Sequence, residues 1–345
     1  MTQHPLDLPS LATGVRVQDT LLVLDVSARA TDEGQPYTIL TLGNATGEIA
    51  TAPFWLEQQE QVAGVRRGHA VQIIGDVVPY RERRQLKVVS LRVLPPGTVN
   101  PRTLLPSVGS VARYWETLDQ WRREIRKPRL ARVTALFFDD EEFRGRYEEC
   151  PASIRGHHAQ LGGLLKHTVE VAAIARTVAR ACGADLDLVL AGTLLHDIGK
   201  LESYAWDGVF EYTDAGSLLG HVVLGGLMVD RRIRAVTPPP CTDAERDILL
   251  HILLSHHGRL EFGSPVQPMT LEAEVIHWAD NASAKTTSLA DALRDARHFT
   301  PGAVTAPVPF LDRRRLYLGT SPWGLDEPDA EPRPPGRASG SDEGG

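Results

Sequence analysis

From Gly14 to about Leu94 the apolar positions recur with the two-residue period of strands that turn one face inward. Val15 to Val26 is the first such run, rich in Val and Leu. Tyr37 to Leu42 is the second and Glu48 to Ala52 the third, set apart by Asn44-Ala45-Thr46-Gly47, a strong turn signal. Val71 to Val77 and Gln85 to Val93 complete five predicted strands, and Leu56 to Val65, between the third and fourth, reads as a short helix. Pro95-Pro96-Gly97 ends the pattern, and the spacing then becomes helical. Trp115, Leu118, Trp121 and Ile125 share one face of a helix expected within 101–130. Further helices are predicted over Leu161–Ala181, Asp185–Leu195, Leu218–Val236, Asp243–His256 and Leu271–Leu293, with Gly183 and Pro238-Pro239-Pro240 as breaks.

Five strands with a helix between the third and fourth is the layout of an OB-fold barrel. The stretch from Tyr37 to Ile49 looks like the strand–turn–strand of nucleic-acid-binding OB domains, with Asn44 where an Asp is common. Tyr37 and Trp55 are candidates to stack on bases, and Arg81 and Arg84, in a basic hairpin, to meet phosphates. The plain alternative is that such rings fill the barrel and that the arginines form a solvated face. The expected fold is therefore multidomain. Residues 1–13 form a flexible N-terminus, 14–96 the five-stranded barrel, 97–130 a linker helix, 131–300 an all-α domain, and 301–345 an extended, largely disordered acidic tail.

Composition narrows this picture without redrawing it. A chain of 345 residues, 42% hydrophobic and 23% charged, is long enough for two folded domains with ample cores. Its net charge of −7 excludes a generally basic coat, so nucleic-acid binding requires a local patch. Within 101–130, seven Arg and Lys face three acids, which suits either a strand track or an ordinary helix exterior. Cys150, Cys182 and Cys241 are widely spaced and form no CxxC pair, which points to a reducing compartment without disulfides. No apolar run approaches membrane-spanning length, so no membrane partner is expected and the cytoplasm is the expected location.

Candidate chemistry centres on Leu194-Leu195-His196-Asp197-Ile198-Gly199-Lys200. Adjacent imidazole and carboxylate suit a divalent metal, and a nearby ammonium suits a phosphate. A lone His-Asp pair is weak evidence, but eight of the twelve histidines lie between 157 and 257, several on apolar helices where imidazole is a poor packing choice.

His167, His196-Asp197 and Asp280 follow the H…HD…D order of HD-domain metal-dependent phosphohydrolases, which the chain resembles. Four segments, 157–168, 191–200, 212–221 and 254–265, resemble the YhaM subfamily of 3′→5′ exoribonucleases, which also carries an N-terminal OB-type domain. The bare HD pattern is moderately specific, and the Ser255-His256-His257-Gly258 and Glu261-Phe262-Gly263-Ser264-Pro265 block, combined with the spacing that follows Gly220-His221 and the OB-type domain, is much more so. Two departures stand out: Ser283 where a second acid is usual, and Lys166 where an acid is frequent.

The resemblance implies an enzyme that shortens single-stranded RNA from its 3′ end to nucleoside monophosphates by metal-activated water, with single-stranded DNA as a further candidate substrate. It implies about two divalent ions per chain, with Mn²⁺ favoured and Fe²⁺ or Mg²⁺ as alternatives. His167, His196, Asp197 and Asp280 would hold one ion. His221, His256 and His257 would complete a second site with Asp197 bridging, although His256 and His257 point about 100° apart on a helix. Asp197 and Lys200 are the expected catalytic pair, Lys200 facing the phosphate, and His157 and His158 are candidate substrate contacts. A homo-oligomer is compatible with all of this. One competing reading is a phosphohydrolase of small nucleotides or cyclic dinucleotides. Another is a non-catalytic strand-binding module with a structural metal, against which stands the count of seven ligand candidates, since closed structural sites normally use about four.

Overall fold

A computed structural model of the chain describes residues 5–80, 83–156, 158–294, 303–308 and 311–318. The chain divides into two compact units, 1–288 and 289–345.

The first unit begins with an antiparallel sheet of β1 (Arg16–Ala30), β2 (Pro36–Asn44), β3 (Gly47–Ala50), β4 (Ala70–Tyr80) and β5 (Arg83–Val93), in the order β3-β2-β1-β4-β5. A short helix, α1 (Gln59–Val62), lies between β3 and β4. The sheet closes where Thr51 bridges Leu86 and the Ala52 N–H donates to the Leu86 carbonyl at 2.9 Å. This is the expected five-stranded OB-type barrel, with β4 and β5 longer than predicted.

β1 explains why Leu21-Leu22-Val23-Leu24 is apolar without a break. Successive strand residues face opposite sides. Leu21 and Val23 enter the barrel core with Leu40, Leu42, Ile73 and Leu86, while Leu22 joins the helical core and Leu24 packs against it. Each fully buried leucine contributes about 1.5–3 kcal/mol, so this strand ties the barrel to the helices. Arg67 adds a hydrogen bond of 2.8 Å to the Phe210 carbonyl.

The N-terminal segment differs from its predicted flexibility. Residues 1–4 lie outside the described residues, but Leu8 and Leu11 are buried in the barrel core and the Asn44 side chain donates to the Leu6 carbonyl at 2.7 Å. Two isolated leucines carry no periodicity, so the sequence pattern does not reveal this plug.

Helices α2 (Ala112–Glu124), α3 (Pro128–Phe138) and α4 (Glu141–Glu149) follow, then α5 (Gly163–Cys182), α6 (Leu186–Leu195) and α7 (Lys200–Ser203). A small ribbon of β6 (Tyr204–Ala205) and β7 (Glu211–Tyr212) leads to α8 (Asp214–Arg234), α9 (Asp243–Ser255) and α10 (Leu271–Arg294). The predicted linker helix is thus two helices, because Pro128 starts a new one, where its missing N–H costs nothing. Its basic residues are largely committed to ion pairs: Arg102 with Glu149 and Asp207, Arg122 with Asp139, Lys127 with Asp185, and Arg129 with Glu245. These contacts favour the helix-exterior reading of this stretch over a strand track.

α6 is apolar all round and buried from Val189 to Leu195, the signature of a central helix. Asp185 caps its start by accepting from the Asp187 and Leu188 N–H groups. α8 breaks its regular geometry at Gly220, whose φ of 72° and ψ of 155° only glycine adopts readily.

In the second unit, Ala292, Val308, Leu311 and Leu316 form a small apolar cluster with Leu289 and Leu293. Part of the predicted extended tail is therefore packed; the stretch 319–345 lies outside the described residues. Among the described residues no helix is long and apolar enough to cross a membrane, and all three cysteines are unpaired.

Candidate metal centre

Six helices converge on one buried carboxylate. α5 supplies His167, the turn after α6 supplies His196 and Asp197, and α7 begins at Lys200. His221 follows the Gly220 break in α8, His256 and His257 lie just past the end of α9, and Asp280 projects from α10.

Local sequence explains the approach. A Cβ added to Gly199 would sit 2.0 Å from the His221 carbonyl oxygen and 2.4 Å from the Gly225 nitrogen. Only glycine lets the His-Asp turn lie against α8, which is why Gly199 separates Asp197 from Lys200 by the observed tight turn. Gly258 plays a similar part: its φ is +76°, and a Cβ there would meet the His277 ring at 2.3 Å.

The imidazoles are locked by their far nitrogens. His196 Nδ1 donates to the Thr193 carbonyl and His256 Nδ1 to the Leu253 carbonyl, each at 2.7 Å. His257 Nδ1 donates to the Phe262 carbonyl, also at 2.7 Å. A carbonyl only accepts, so in each ring Nε2 is left as the lone-pair nitrogen.

Four imidazole nitrogens face Asp197 from two sides. Asp197 Oδ2 lies 3.3 Å from His196 Nε2 and 3.5 Å from His167 Nε2. Its Oδ1 lies 3.3 Å from His221 Nε2 and 3.6 Å from His256 Nε2. Asp280 Oδ1 is 3.0 Å from His167 Nε2 and 3.9 Å from His196 Nε2. His167–His196–Asp197 and His221–His256–His257 accordingly form two groups, each with ligand atoms within 4.8 Å of one another.

The donor set fits divalent ions. His196 Nε2, Asp197 Oδ1, His221 Nε2 and His256 Nε2 are buried without a hydrogen-bond partner, an arrangement that folded proteins avoid unless something else satisfies it. Two ligands about 2.1 Å from one ion, at right angles to each other, stand about 3 Å apart. The spacings above match that separation.

Electrostatics keep the ligands in their binding forms, with His196 the exception. Burial lowers the His221 pKa to about 3, against the pull of Asp197, and holds His256 well below its usual value. Burial also lowers His167, although Asp280 opposes it, whereas the Asp197 charge outweighs burial at His196 and raises it. Burial would raise Asp197, but Lys200 and His196 hold it far below the ordinary carboxylate range. The hydrogen bond and charge of His167 do the same for Asp280. Burial opposes the charge on Lys200, yet Asp197 outweighs it and raises the pKa.

The remaining sequence candidates fall in different places. Lys200, 6% exposed, bonds Asp197 Oδ2 at 2.5 Å, so it braces the carboxylate directly. His158 is 4% exposed and its Nε2 donates to Glu170 Oε2 at 2.8 Å, behind His167. Tyr37 and Trp55 form a tilted pair, 5.3 Å between ring centres, with Trp55 40% exposed on the barrel. Arg84 donates to the carbonyls of Pro9 and Leu11, which pins the N-terminal segment. His157 and Arg81 lie outside the described residues. Glu170 was not singled out from the sequence, although it stands three residues after His167, one helical turn on the same face.

An HD pair at the junction of two histidine groups, with a distant Asp closing the first, defines the HD class of metal-dependent phosphohydrolases, and residues 164–285 match the HD domain family. Curated proteins named 3′-5′ exoribonuclease YhaM are similar over nearly the whole chain. That of Bacillus subtilis is 32% identical over 310 residues, covering 89% of this chain and 96% of the relative. That of Shouchella clausii is 31% identical over 309 residues, covering 88% and 93%. The chain belongs to the YhaM family. Among solved structures, a domain of replication protein A from Methanococcus maripaludis is similar at 16% identity and a TM-score of 0.22, covering 26% of this chain and 93% of that one.

Proposed function

We propose that the protein is a metal-dependent 3′→5′ exoribonuclease that removes nucleoside monophosphates from single-stranded RNA, and that it works with two divalent ions, Mn²⁺ being the favoured one. The observation that carries this reading is Asp197, whose two oxygens each face a separate histidine group. Membership of a family whose curated proteins bear the exoribonuclease name supports the polymer and the polarity.

His167, His196, Asp197 and Asp280 would hold one ion, and His221, His256 and His257, with Asp197 between the groups, the other. When bound, such ions supply a water-derived nucleophile at neutral pH and neutralise charge on the phosphodiester. The protein's own contribution is preorganisation. Backbone carbonyls at Thr193, Leu253 and Phe262 hold three rings with their lone pairs inward. Lys200 fixes the Asp197 carboxylate. An ammonium has three donors, so the same group can face a phosphate oxygen beside that carboxylate. The barrel would guide the strand, with Tyr37 and Trp55 offering faces to bases and no demand on their identity. Neutral imidazoles with two carboxylates favour Mn²⁺ or Fe²⁺ over Mg²⁺. A small nucleotide as substrate would leave the exposed ring pair without a task.

End-labelled single-stranded RNA incubated with the protein and Mn²⁺ tests the reading. A ladder shortening from the 3′ end is the expected result. Absence of cleavage with Mn²⁺, Fe²⁺ and Mg²⁺ alike would overturn it, and cleavage confined to mononucleotides would transfer the site to small-nucleotide hydrolysis.

The ring pair is tested separately. Base stacking on an aromatic side chain contributes about 1–3 kcal/mol, so Trp55→Ala should raise KM for a long RNA by about 5- to 150-fold. The same variant should cleave a dinucleotide at the parent rate. An unchanged KM on the long strand would remove Trp55 from the RNA path.

A further inference from the structure

Behind His167 lies a polar chain that none of the ligands explains. Ser283, on α10, is buried and stands between two groups of α5. Its Oγ donates to Glu170 Oε2 at 3.2 Å and lies 3.3 Å from His167 Nδ1. A hydroxyl has one proton, and a carboxylate only accepts. With that proton on Glu170, the serine oxygen is left to accept from His167 Nδ1–H. The same Glu170 oxygen receives His158 Nε2–H at 2.8 Å, and Lys166 Nζ stands 3.9 Å from the other oxygen. Glu170 is thus oriented from both sides by residues of its own neighbourhood.

The consequence reaches the ligand face. Without an ion, His167 Nε2–H bonds Asp280 Oδ1 at 3.0 Å; a proton kept on Nδ1 instead would leave the Nε2 lone pair for an ion shared with Asp280 and with Asp197, whose Oδ2 lies 3.5 Å away. His196 and His256 achieve the same result with backbone carbonyls. His167 sits in the second turn of α5, where the carbonyls of its own helix are occupied, so a side chain must take that part. A carboxylate acting through an imidazole raises its basicity more than a neutral acceptor does.

We propose that Glu170, relayed by the Ser283 hydroxyl, is the positioning carboxylate that sets the tautomer of His167 and thereby the affinity of the first metal group. Lys166 and Ser283, the two departures noted in the sequence, belong to one assembly: the hydroxyl at 283 hands His167 to an acid on α5, and Lys166 steadies that acid. The inference rests on the metal-binding reading of this cluster and not on the identity of the substrate.

The test uses Mn²⁺ alone, titrated calorimetrically into the full-length protein after chelator stripping. Outer-shell partners of metal-bound histidines are worth about 10- to 100-fold in affinity. Glu170→Ala should weaken the tighter Mn²⁺ event by about that factor, and the near-isosteric Glu170→Gln by less, with both stripped proteins melting as cooperatively as the parent. The decisive arm is rescue. Ser283→Asp in the Glu170→Ala background places a carboxylate directly beside His167 Nδ1, and it should recover most of the lost affinity, which a general loss of packing would not permit. Parent-like Mn²⁺ affinity in folded Glu170→Ala overturns the proposal, and so does a loss that Ser283→Asp leaves in place. If the parent protein binds Mn²⁺ but degrades no RNA, the exonuclease reading fails while this one stands.

Discussion

Replacing Asp197 by alanine is expected to lower the single-turnover rate on end-labelled RNA by at least about 10³-fold, beyond the 10²–10³-fold effect of losing one preorganised electrostatic contact. The reason is the geometry of its two oxygens, which meet His167 and His196 on one side and His221 and His256 on the other. No other described carboxylate lies within reach of both histidine groups. Bound Mn²⁺ should fall from about two per chain to one or none. The substitution also strands Lys200, whose buried ammonium loses its 2.5 Å partner. An uncompensated buried charge costs about 3–5 kcal/mol, so the double variant Asp197→Ala/Lys200→Met separates the two effects. It should regain much of the melting temperature and none of the activity. Activity within tenfold of the parent in a folded Asp197 variant would refute the assigned role.

The second large effect is acid lability of the metal-stripped protein. His221, His256 and His167 are each held below their ordinary value by burial, His221 to about 3. In the unfolded chain they take up protons near 6.5, so below that pH the unfolded state binds more protons and stability falls as pH falls. For His221 alone, two pH units below its unfolded value correspond to about 3 kcal/mol. His196, raised above 6.5, works in the opposite sense, but its gain is complete once the pH has fallen to 6.5 and offsets nothing below it. Asp197 and Asp280, both lowered, add their own losses only at more acidic pH. Urea melts of stripped protein between pH 7.5 and 4.5 should therefore show a steep decline, and a flat profile would contradict the neutral-imidazole cluster. Mn²⁺ at a hundred times its dissociation constant should add about 2.7 kcal/mol at neutral pH. That gain should fade toward acid as protons compete for the same nitrogens.

The parts of the molecule that were legible in the sequence are those written in local patterns. Alternation gave the strands to within a few residues, and the breaks at Gly183 and the three prolines bracketed α5, α6 and α9 closely. The apolar run at Leu21–Leu24 was read as strand, but its division between two cores depends on a neighbour that alternation does not name. The basic stretch 101–130 shows the same limit: its charges were plain, while partners such as Asp185 and Glu245 lie 58 and 116 residues away. In the candidate site, the histidines and Asp197 stood out because imidazole is rare on apolar helices. Glu170 did not, because an exposed-looking acid one turn after a histidine is an everyday helix residue. Only the placement of Ser283 across from it, 113 residues on, connects it to His167.

The spread of the donors along the chain has a consequence for biosynthesis. His167 and Asp280, 3.0 Å apart in space, are separated by 113 residues, and α10 is the last of the described helices to be made. A nascent chain halted anywhere before that helix holds the histidines and Asp197 but lacks Asp280, so the first group is completed only after 113 residues beyond His167 have been made. The ion it takes is then set by whatever the surrounding solution holds at that moment. Protein made in media of different trace-element content should for that reason carry different ions on the same fold.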